Sequence, residues 1–167
     1  MTEEIFEETF TVATPLHLLV SNIRGAIHIF QRAGSEVLVR AIKHHNDSNA
    51  NHTYIEIEQT HNDALQIRTR LRQPPDLSQR VCPCAVTYSI SVPVPVHIKL
   101  HGVSSIVDLQ DLEGDFDLKT VSGDMSLKRL TGPMKIATVS GHVFGEALCG
   151  ALTLKTVSGN IHLDEST

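Results

Sequence analysis

The chain of 167 residues contains few aromatic side chains, which make up 4% of the sequence, and it has no tryptophan. Aromatic side chains supply much of the binding energy at tight interfaces, so a deep aromatic-lined pocket is not expected. The formal net charge is -5, and no run of basic residues occurs. Proteins that bind nucleic acid concentrate positive charge on one face, so this charge pattern argues against a nucleic-acid partner.

Long apolar runs are also missing. No stretch approaches the roughly 18 consecutive apolar residues of a transmembrane helix, so membrane insertion is not expected. The first residues read MTEEIFEE and are acidic, whereas a secretory signal begins with basic residues and continues with an apolar stretch. We therefore expect the chain as given to be cytoplasmic, with a surface location only if a leader has been removed.

Cysteine is scarce, and the three residues are Cys82, Cys84 and Cys149. An odd number does not indicate a disulfide framework and fits a reducing compartment. Cys82 and Cys84 would share one side of an extended strand, where His97, His101 or Cys149 would complete a metal site. A redox pair is a further alternative, and inert thiols before a strand are the simplest interpretation. We expect no cofactor.

Alternation of apolar and polar residues runs through most of the chain and indicates an all-β protein. The predicted N-terminal strands are residues 5–12, 17–21, 26–30, 36–42, 52–58, 64–69 and 85–92. Two polar stretches, residues 44–51 and 73–79, are typical of solvated loops.

The segment Ser91-Val-Pro-Val-Pro-Val96 predicts a boundary, because Pro93 and Pro95 both lack an N–H along one edge. Such a segment lies at a sheet edge or where the pairing partner changes. We therefore divide the chain into an N-terminal β-strand region, residues 1–93, and a repeat region, residues 94–167, with one continuous core.

The repeat region carries the sequence Thr-Val-Ser-Gly three times, at residues 120–123, 138–141 and 156–159, each copy eighteen residues after the last. Six apolar positions recur with the same period, with Gly145 as the exception. One repeat cannot bury its apolar face alone, whereas stacked repeats bury a continuous core. The spacing predicts a short β-solenoid with two strands per eighteen-residue coil, and an antiparallel meander is the alternative. Within each corner we expect the valine to face the core.

Some side chains of the repeats are predicted to face outward and to form an interaction surface. Thr138 and Ser140 would belong to a Thr/Ser-lined face, and His142, Phe144 and His162 lie at outward positions of the strand pattern. An exposed phenylalanine on a flat β-face is typical of a contact patch, although Phe144 could instead fold over the missing side chain at Gly145.

Three parts of the sequence carry a resemblance to a known family: Ser21-Asn-Ile-Arg-Gly-Ala-Ile-His-Ile29, the stretch from Tyr88 to Leu100, and the Thr-Val-Ser-Gly copies. With these the chain resembles the putative adhesin family of bacterial and archaeal β-strand-repeat proteins. The resemblance implies an N-terminal β-sandwich-like part followed by a right-handed repeat stack. It supplies no catalytic motif.

An enzyme is not expected. Of the clustered acidic residues Asp115, Asp117 and Asp124, the first two alternate with core positions and face solvent, and no catalytic motif occurs. We predict a non-enzymatic binding or self-assembling scaffold module that acts through its solenoid face or open coil edge. The partner would be another protein or a second copy. The alternatives are a surface adhesin-like domain that binds carbohydrate or envelope material, and a metal- or redox-sensing protein that uses Cys82 and Cys84.

Overall fold

A computed structural model describes residues 2–45, 53–71 and 85–164, and every regular element in these ranges is a β-strand. The predicted all-β class is confirmed. None of the described residues forms a helix that is long and apolar enough to span a membrane. The strands are β1 (Thr2–Thr11), β2 (Leu16–Gln31), β3 (Glu36–His45), β4 (Thr53–His61), β5 (Ala64–Leu71), β6 (Ala85–Val92), β7 (Val96–Gln110), β8 (Gly114–Ser122), β9 (Met125–Lys128), β10 (Met134–Ser140), β11 (Val143–Glu146), β12 (Leu152–Ser158) and β13 (Ile161–Asp164).

The alternating pattern located the N-terminal strands to within a few residues but divided one of them. The segments predicted at 17–21 and 26–30 belong to the single strand β2, in which Gly25 has φ 123° and the buried positions shift by one residue between Asn22 and Ile27. Glycine tolerates this backbone conformation, so the strand continues through the shift. Of the predicted loops, residues 46–51 and 73–79 lie outside the described residues, and the histidines at 44 and 45 belong to β3.

Strands β2 and β7 form the centre of a single thirteen-stranded sheet. They run parallel, with Leu16 opposite Val96 and Phe30 opposite Gln110. The other edge of β2 carries β5 and then β6, and the other edge of β7 carries β8 and then β9. Four arms therefore leave the centre: β5–β4, β6–β3–β1, β8–β10–β12 and β9–β11–β13. The N-terminal strands and the repeats share this sheet, which is not closed.

Residues of the repeats that are eighteen apart in the sequence lie opposite each other on neighbouring strands of the sheet. Met134 in β10 lies opposite Phe116 in β8 and opposite Leu152 in β12, and all three strands are parallel. In the second arm Val143 of β11 lies opposite Met125 of β9 in the same way. The alternative of an antiparallel meander is therefore wrong, because each repeat pairs in parallel with its own equivalent.

The proline-rich segment connects two strands that lie on opposite edges of β2. Strand β6 ends at Val92 beside one edge, and β7 begins at Val96 beside the other. Of the two alternatives predicted for this segment, a sheet edge or a change of pairing partner, the second is confirmed, because β6 pairs with β3 whereas β7 pairs with β8.

A buried polar network lies where β2 branches into two arms. The amide of Asn22 donates to the carbonyl of Val86 at 2.9 Å, and its oxygen accepts from the Thr69 hydroxyl at 2.9 Å. Thr69 also lies 2.5 Å from the hydroxyl of Tyr88. Burial raises the pKa of the Tyr88 phenol well above its usual range, and the bond to Thr69 only partly opposes this. The network ties β5 and β6 to β2 and satisfies the polar groups at the branch point.

The buried side chains form one cluster that runs from Val12 to Leu148 and includes the inward residues of β8 to β11. Burial decreases at the last repeat. Leu152 and Leu154 are half-buried, and Ile161 and Leu163 are 41% and 39% exposed, because no further described strand lies over them.

The expected orientation of the repeated valines is wrong. Val121 and Val139 are 49% and 47% exposed, whereas Thr120 and Thr138, the residues just before them, are each 5% exposed. Val157 in the last copy is 81% exposed. In the Thr-Val-Ser-Gly corner the threonine therefore lies on the core face of the sheet and the valine on the solvent face.

The phase of the alternation explains this difference. From the buried Leu118 the period of two continues to Thr120, so Val121 faces outward. The inward phase shifts by one residue only at Gly123, which has φ 116°, and Met125 then returns to the core. A β-branched residue in a strand is compatible with either face, so residue type alone did not reveal where the shift occurs.

The glycine of each corner also permits close stacking. Gly141 has φ 133°, in a region that favours glycine, and a Cβ at this position would overlap the carbonyl oxygen of Gly123 in the preceding repeat. A second type of corner places Asp111, Arg129 and Ala147, again eighteen residues apart, at φ 56°, 53° and 54°. These three residues occupy the left-handed region without being glycine.

Candidate functional site

The outward side chains predicted around Phe144 are brought together. Phe144 in β11 lies opposite His162 in β13, with the ring centroids 5.5 Å apart and the planes tilted by 58°. Phe144 is 55% exposed, and the space beside Gly145 is filled by Leu148 and Leu163 instead. The alternative in which Phe144 folds over Gly145 is therefore wrong.

The other predicted interaction residues lie in different environments. His142 is exposed, and its backbone N–H donates to the Asp124 carboxylate at 3.0 Å. Thr138 is buried and bonds to the Thr120 hydroxyl at 3.1 Å and to the Ser140 carbonyl at 3.3 Å. Ser140 is half-buried. Thr138 and Ser140 therefore do not form a common outward face.

A row of exposed valines runs across the repeats instead. We name it the valine ladder, and it consists of Val103, Val121, Val139 and Val157, which are 49%, 49%, 47% and 81% exposed. The neighbouring residues pair in register, since Ser104 lies opposite Ser122 and Thr138 lies opposite Thr156. Adjacent valines are thus separated by about 4.8 Å, the spacing between paired strands. The recurrence of these valines is visible in the sequence, but we expected the valines to face the core.

The two margins of the valine ladder differ in chemistry. On one side lie the exposed cationic side chains of Lys119 and Lys155, which border a shallow groove of about 370 Å³. On the other side the Ser122 hydroxyl lies 3.3 Å from the Ser104 hydroxyl and bonds to the carbonyl of Val103 at 3.3 Å. The ladder is therefore an apolar row with one positive and one neutral polar border.

A larger groove of about 760 Å³ crosses the outer face of β5, β2, β7, β8 and β10 and reaches β12. At one level along the strands the His17 and His97 rings stack with centroids 4.8 Å apart and planes 13° apart. The Nδ1 atom of His97 lies 2.8 Å from a carboxylate oxygen of Asp115. We name this site the histidine groove.

A second row of side chains in the histidine groove alternates in charge. Lys99, Asp117 and Lys135 are in register on β7, β8 and β10, with Leu19 of β2 beside Lys99. The Oδ1 atom of Asp117 is buried and has no hydrogen-bond partner among the described residues. Sequence reasoning missed this groove because β2 and β5 come from a distant part of the chain and only the fold places them beside the repeats.

Of the weak metal candidates, the two that the structure describes, His97 and His101, are not brought together. His97 and His101 lie four residues apart on β7, which separates them by about 13 Å, too far to bind one ion. Cys82 and Cys84 lie outside the described residues. Cys149 is a free, exposed thiol. Across the described ranges, no three or more His, Cys, Asp or Glu side chains form a group that could hold a metal ion.

One threonine, one histidine and one carboxylate are aligned on β6, β3 and β1. The Thr87 hydroxyl lies 3.5 Å from Nε2 of His44, and Nδ1 of His44 lies 3.3 Å from the Glu3 carboxylate. Both distances exceed those of well-formed hydrogen bonds. A hydroxyl that is not firmly bonded to its base is a weak nucleophile, so this alignment does not support catalysis.

Comparisons with known proteins point to the fold. No family model matches the chain, and no curated protein matches it significantly. A crystal structure of a putative cell adhesion protein from Clostridium sporogenes is similar over 98% of this chain and 100% of that one, with a TM-score of 0.65 and 11% identity. A putative adhesin from Bacteroides fragilis matches over 96% and 97% of the two chains, at 11% identity and a TM-score of 0.37. The first of these shares the fold, and the second has too low a score to support a structural conclusion.

Proposed function

We propose that the protein is a non-enzymatic binding module that contacts another protein through the valine ladder. The observation that supports this proposal is the continuous row of exposed β-branched side chains on a regular parallel sheet. Covering a half-exposed valine is worth about 1 kcal/mol, so the whole row contributes appreciably to binding. Contiguous exposed apolar surface of this kind marks interaction sites.

The margins of the row suggest the chemistry of the partner. Lys119 and Lys155 on one border favour a partner surface that places carboxylates beside an apolar strip. Ser104 and Ser122 on the other border bond to each other and to the backbone, so they demand little from the partner. The preferred partner is therefore a protein surface with an apolar centre and an acidic side.

We further infer that the two parallel arms of the repeats wind as a right-handed solenoid with eighteen-residue coils. The constant offset between paired residues supports this arrangement, as do the positive φ angles of Gly123, Gly141 and Gly159 at equivalent corners. A solenoid would hold the four valines at fixed spacing, so that little conformational entropy is lost on binding.

Self-association through the last repeat is a second candidate. In the described chain no strand pairs with the outer edges of β12 and β13, and Ile161 and Leu163 beside these edges are 41% and 39% exposed. Unpaired strand edges are templates for pairing with another chain. A head-to-tail contact at such an edge would produce a filament, and a two-fold contact would produce a dimer.

Light scattering over a concentration series, with negative-stain electron microscopy of the same samples, distinguishes the two candidates. The edge candidate predicts a mass that grows with concentration in the wild type and in Val139→Asp but not in Ile161→Lys. Growth that Val139→Asp abolishes would mean that the valine ladder binds a second copy. A constant monomer mass would exclude self-assembly and leave a different protein as the partner.

Site-specific photo-crosslinking in cells tests the valine ladder itself. A crosslinker at Val121 should give a discrete protein adduct, whereas a crosslinker at Arg40, an exposed residue of β3, should not. Equal labelling from both positions, or none from Val121, would contradict the proposal. Fractionation of the same cells tests the cytoplasmic location expected from the sequence.

A further inference from the structure

The histidine groove has a chemistry that the valine ladder lacks. We propose that it binds a neutral oligosaccharide. The inference does not depend on protein binding at the valine ladder, because it rests on different side chains. These are His17, Leu19, His97, Lys99, Asp115, Asp117 and Lys135.

The dimensions of the groove suit an extended ligand. Its volume is about 760 Å³, within the range of about 300–1,000 Å³ for small-molecule sites. From β5 through β2, β7 and β8 to β10 it crosses a distance of about 19 Å, four steps between paired strands. An open groove of this length accommodates several sugar rings in a row.

The balance of charge favours a ligand without net charge. Two ammonium groups, Lys99 and Lys135, face two carboxylates, Asp115 and Asp117, within the same groove. An anion placed here would meet the carboxylates, and a cation would meet the ammonium groups, so neither gains a uniform field. A neutral ligand with many hydroxyls avoids both conflicts.

The alternation of donors and acceptors matches hydroxyl groups. In register across the strands lie Gln66, Leu19, Lys99, Asp117, Lys135 and Thr153. A hydroxyl both donates and accepts, so a row of sugar hydroxyls can accept from a lysine and donate to the next carboxylate. Asp117 is half-buried and lines the groove, so a sugar hydroxyl that donates to its carboxylate forms a charge-assisted hydrogen bond.

Pro133 and Ala151 supply apolar surface of the kind that a sugar also needs. The His17 and His97 imidazole rings stack on each other, with Asp115 bound to His97 and fixing its orientation. The C–H groups of a sugar ring would pack against the proline and the alanine, while its hydroxyls reach the charged row. Because the imidazole rings are held before binding, little is lost in ordering them.

Titration of the ¹⁵N-labelled protein with four neutral hexasaccharides, maltohexaose, cellohexaose, chitohexaose and mannohexaose, tests the proposal. At least one should give saturable amide shifts centred on residues 97–99, 115–117 and 133–135. The affinity should not change between low and high salt, since the ligand is uncharged. Asp117→Ala should weaken binding at least tenfold, and Lys135→Gln should weaken it severalfold.

Asp124→Ala is the matched control, because Asp124 lies in the same repeat but outside the groove. It should leave the affinity unchanged, and thermal melts should establish that all variants remain folded. If none of the four sugars produces shifts in the groove, the proposal is wrong. It is equally wrong if inorganic phosphate produces the same shifts more strongly, which would identify an anion site.

The two binding surfaces can be tested independently. Val139→Asp should impair crosslinking at the valine ladder and leave sugar affinity unchanged, whereas Asp117→Ala should do the reverse. If the wild type forms the crosslinked adduct but binds none of the sugars, the result counts against the groove alone.

Discussion

Thr120 donates a hydrogen bond to Thr138 in the next strand, with 3.1 Å between the two Oγ1 atoms, and both side chains are 5% exposed. This inward bond links two repeats at the same point of each corner. Thr138→Val keeps the shape of the side chain but leaves the Thr120 hydroxyl without its acceptor. We expect a loss of about 1–2 kcal/mol in the free energy of unfolding, measured by chemical denaturation. Thr156→Val, at the half-buried end of the same row, should cost clearly less, and an equal cost would contradict the role of the buried bond.

The two faces of the repeat can be separated by a pair of aspartate substitutions. Val139 is 47% exposed, whereas Val143 on the next strand is 1% exposed. Val139→Asp should change the free energy of unfolding by less than about 1 kcal/mol, as is usual at the surface. Val143→Asp buries a charge without a partner and should destabilise by more than about 3 kcal/mol or prevent folding. If denaturation shows the opposite order, the assigned phase of the strands is wrong.

A methyl group added to a glycine should be costly only where another repeat lies against it. Gly141→Ala combines an unfavourable φ with overlap against the Gly123 carbonyl, and we expect a loss of roughly 3 kcal/mol or more. Gly34→Ala is the control, since φ is 100° there but no atom lies within 4 Å of the added Cβ. It should cost only about 1 kcal/mol of backbone strain. Comparable losses in the two melting curves would argue against close stacking at the corner.

One corner should be stabilised by a glycine. Ala147 has φ 54°, a conformation that alanine adopts at a cost and glycine adopts freely. Ala147→Gly should raise the free energy of unfolding by about 0.5–1 kcal/mol. Ala137→Gly, within the regular strand β10, should lower it by a similar amount, since glycine weakens strands. A destabilising Ala147→Gly would show that the corner does not strain alanine.

The second corner also gives a pH dependence. The Arg129 guanidinium, hydrogen-bonded to Asp111, lowers the pKa of that carboxyl in the folded protein. A lowered pKa in the folded state adds stability above the unfolded pKa, and this stability disappears as the pH falls through the folded pKa. The difference in stability between wild type and Arg129→Ala should therefore be greatest near neutral pH and shrink below roughly pH 4. Both side chains are exposed, so the difference should be small and should decrease with added salt.

The sequence predicted those features of the fold that depend on local spacing. The recurrence of Leu118 and its equivalents every eighteen residues predicted the register, which the parallel pairing of β8 with β10 confirms. It did not reveal which residue of the corner changes phase, because Thr120 and Val121 are both compatible with a buried or an exposed position in a strand. The resulting error hid the valine ladder among expected core residues.

The histidine groove depends on contacts that no local pattern contains. His17 stacks on His97 because β2 pairs in parallel with β7, which places the two residues opposite each other. Alternation indicates that both histidines face away from the core, but it does not indicate which strands become neighbours. Predicting a site between distant segments therefore requires the strand order of the sheet. Predicting a site within the repeats requires only the repeat length and the knowledge of which residues face the core.

The constant register has a consequence for how such a chain can change in length. Duplication of residues 130–147 would add one parallel strand to each arm and lengthen the sheet by about 4.8 Å, while every existing glycine corner kept its neighbour. Deletion of the same segment would shorten the protein without exposing a new kind of surface. An insertion of a single residue within β10 would instead turn all following side chains to the opposite face. The repeat region should thus tolerate insertions and deletions of eighteen residues, whereas insertions and deletions of other lengths should destabilise it.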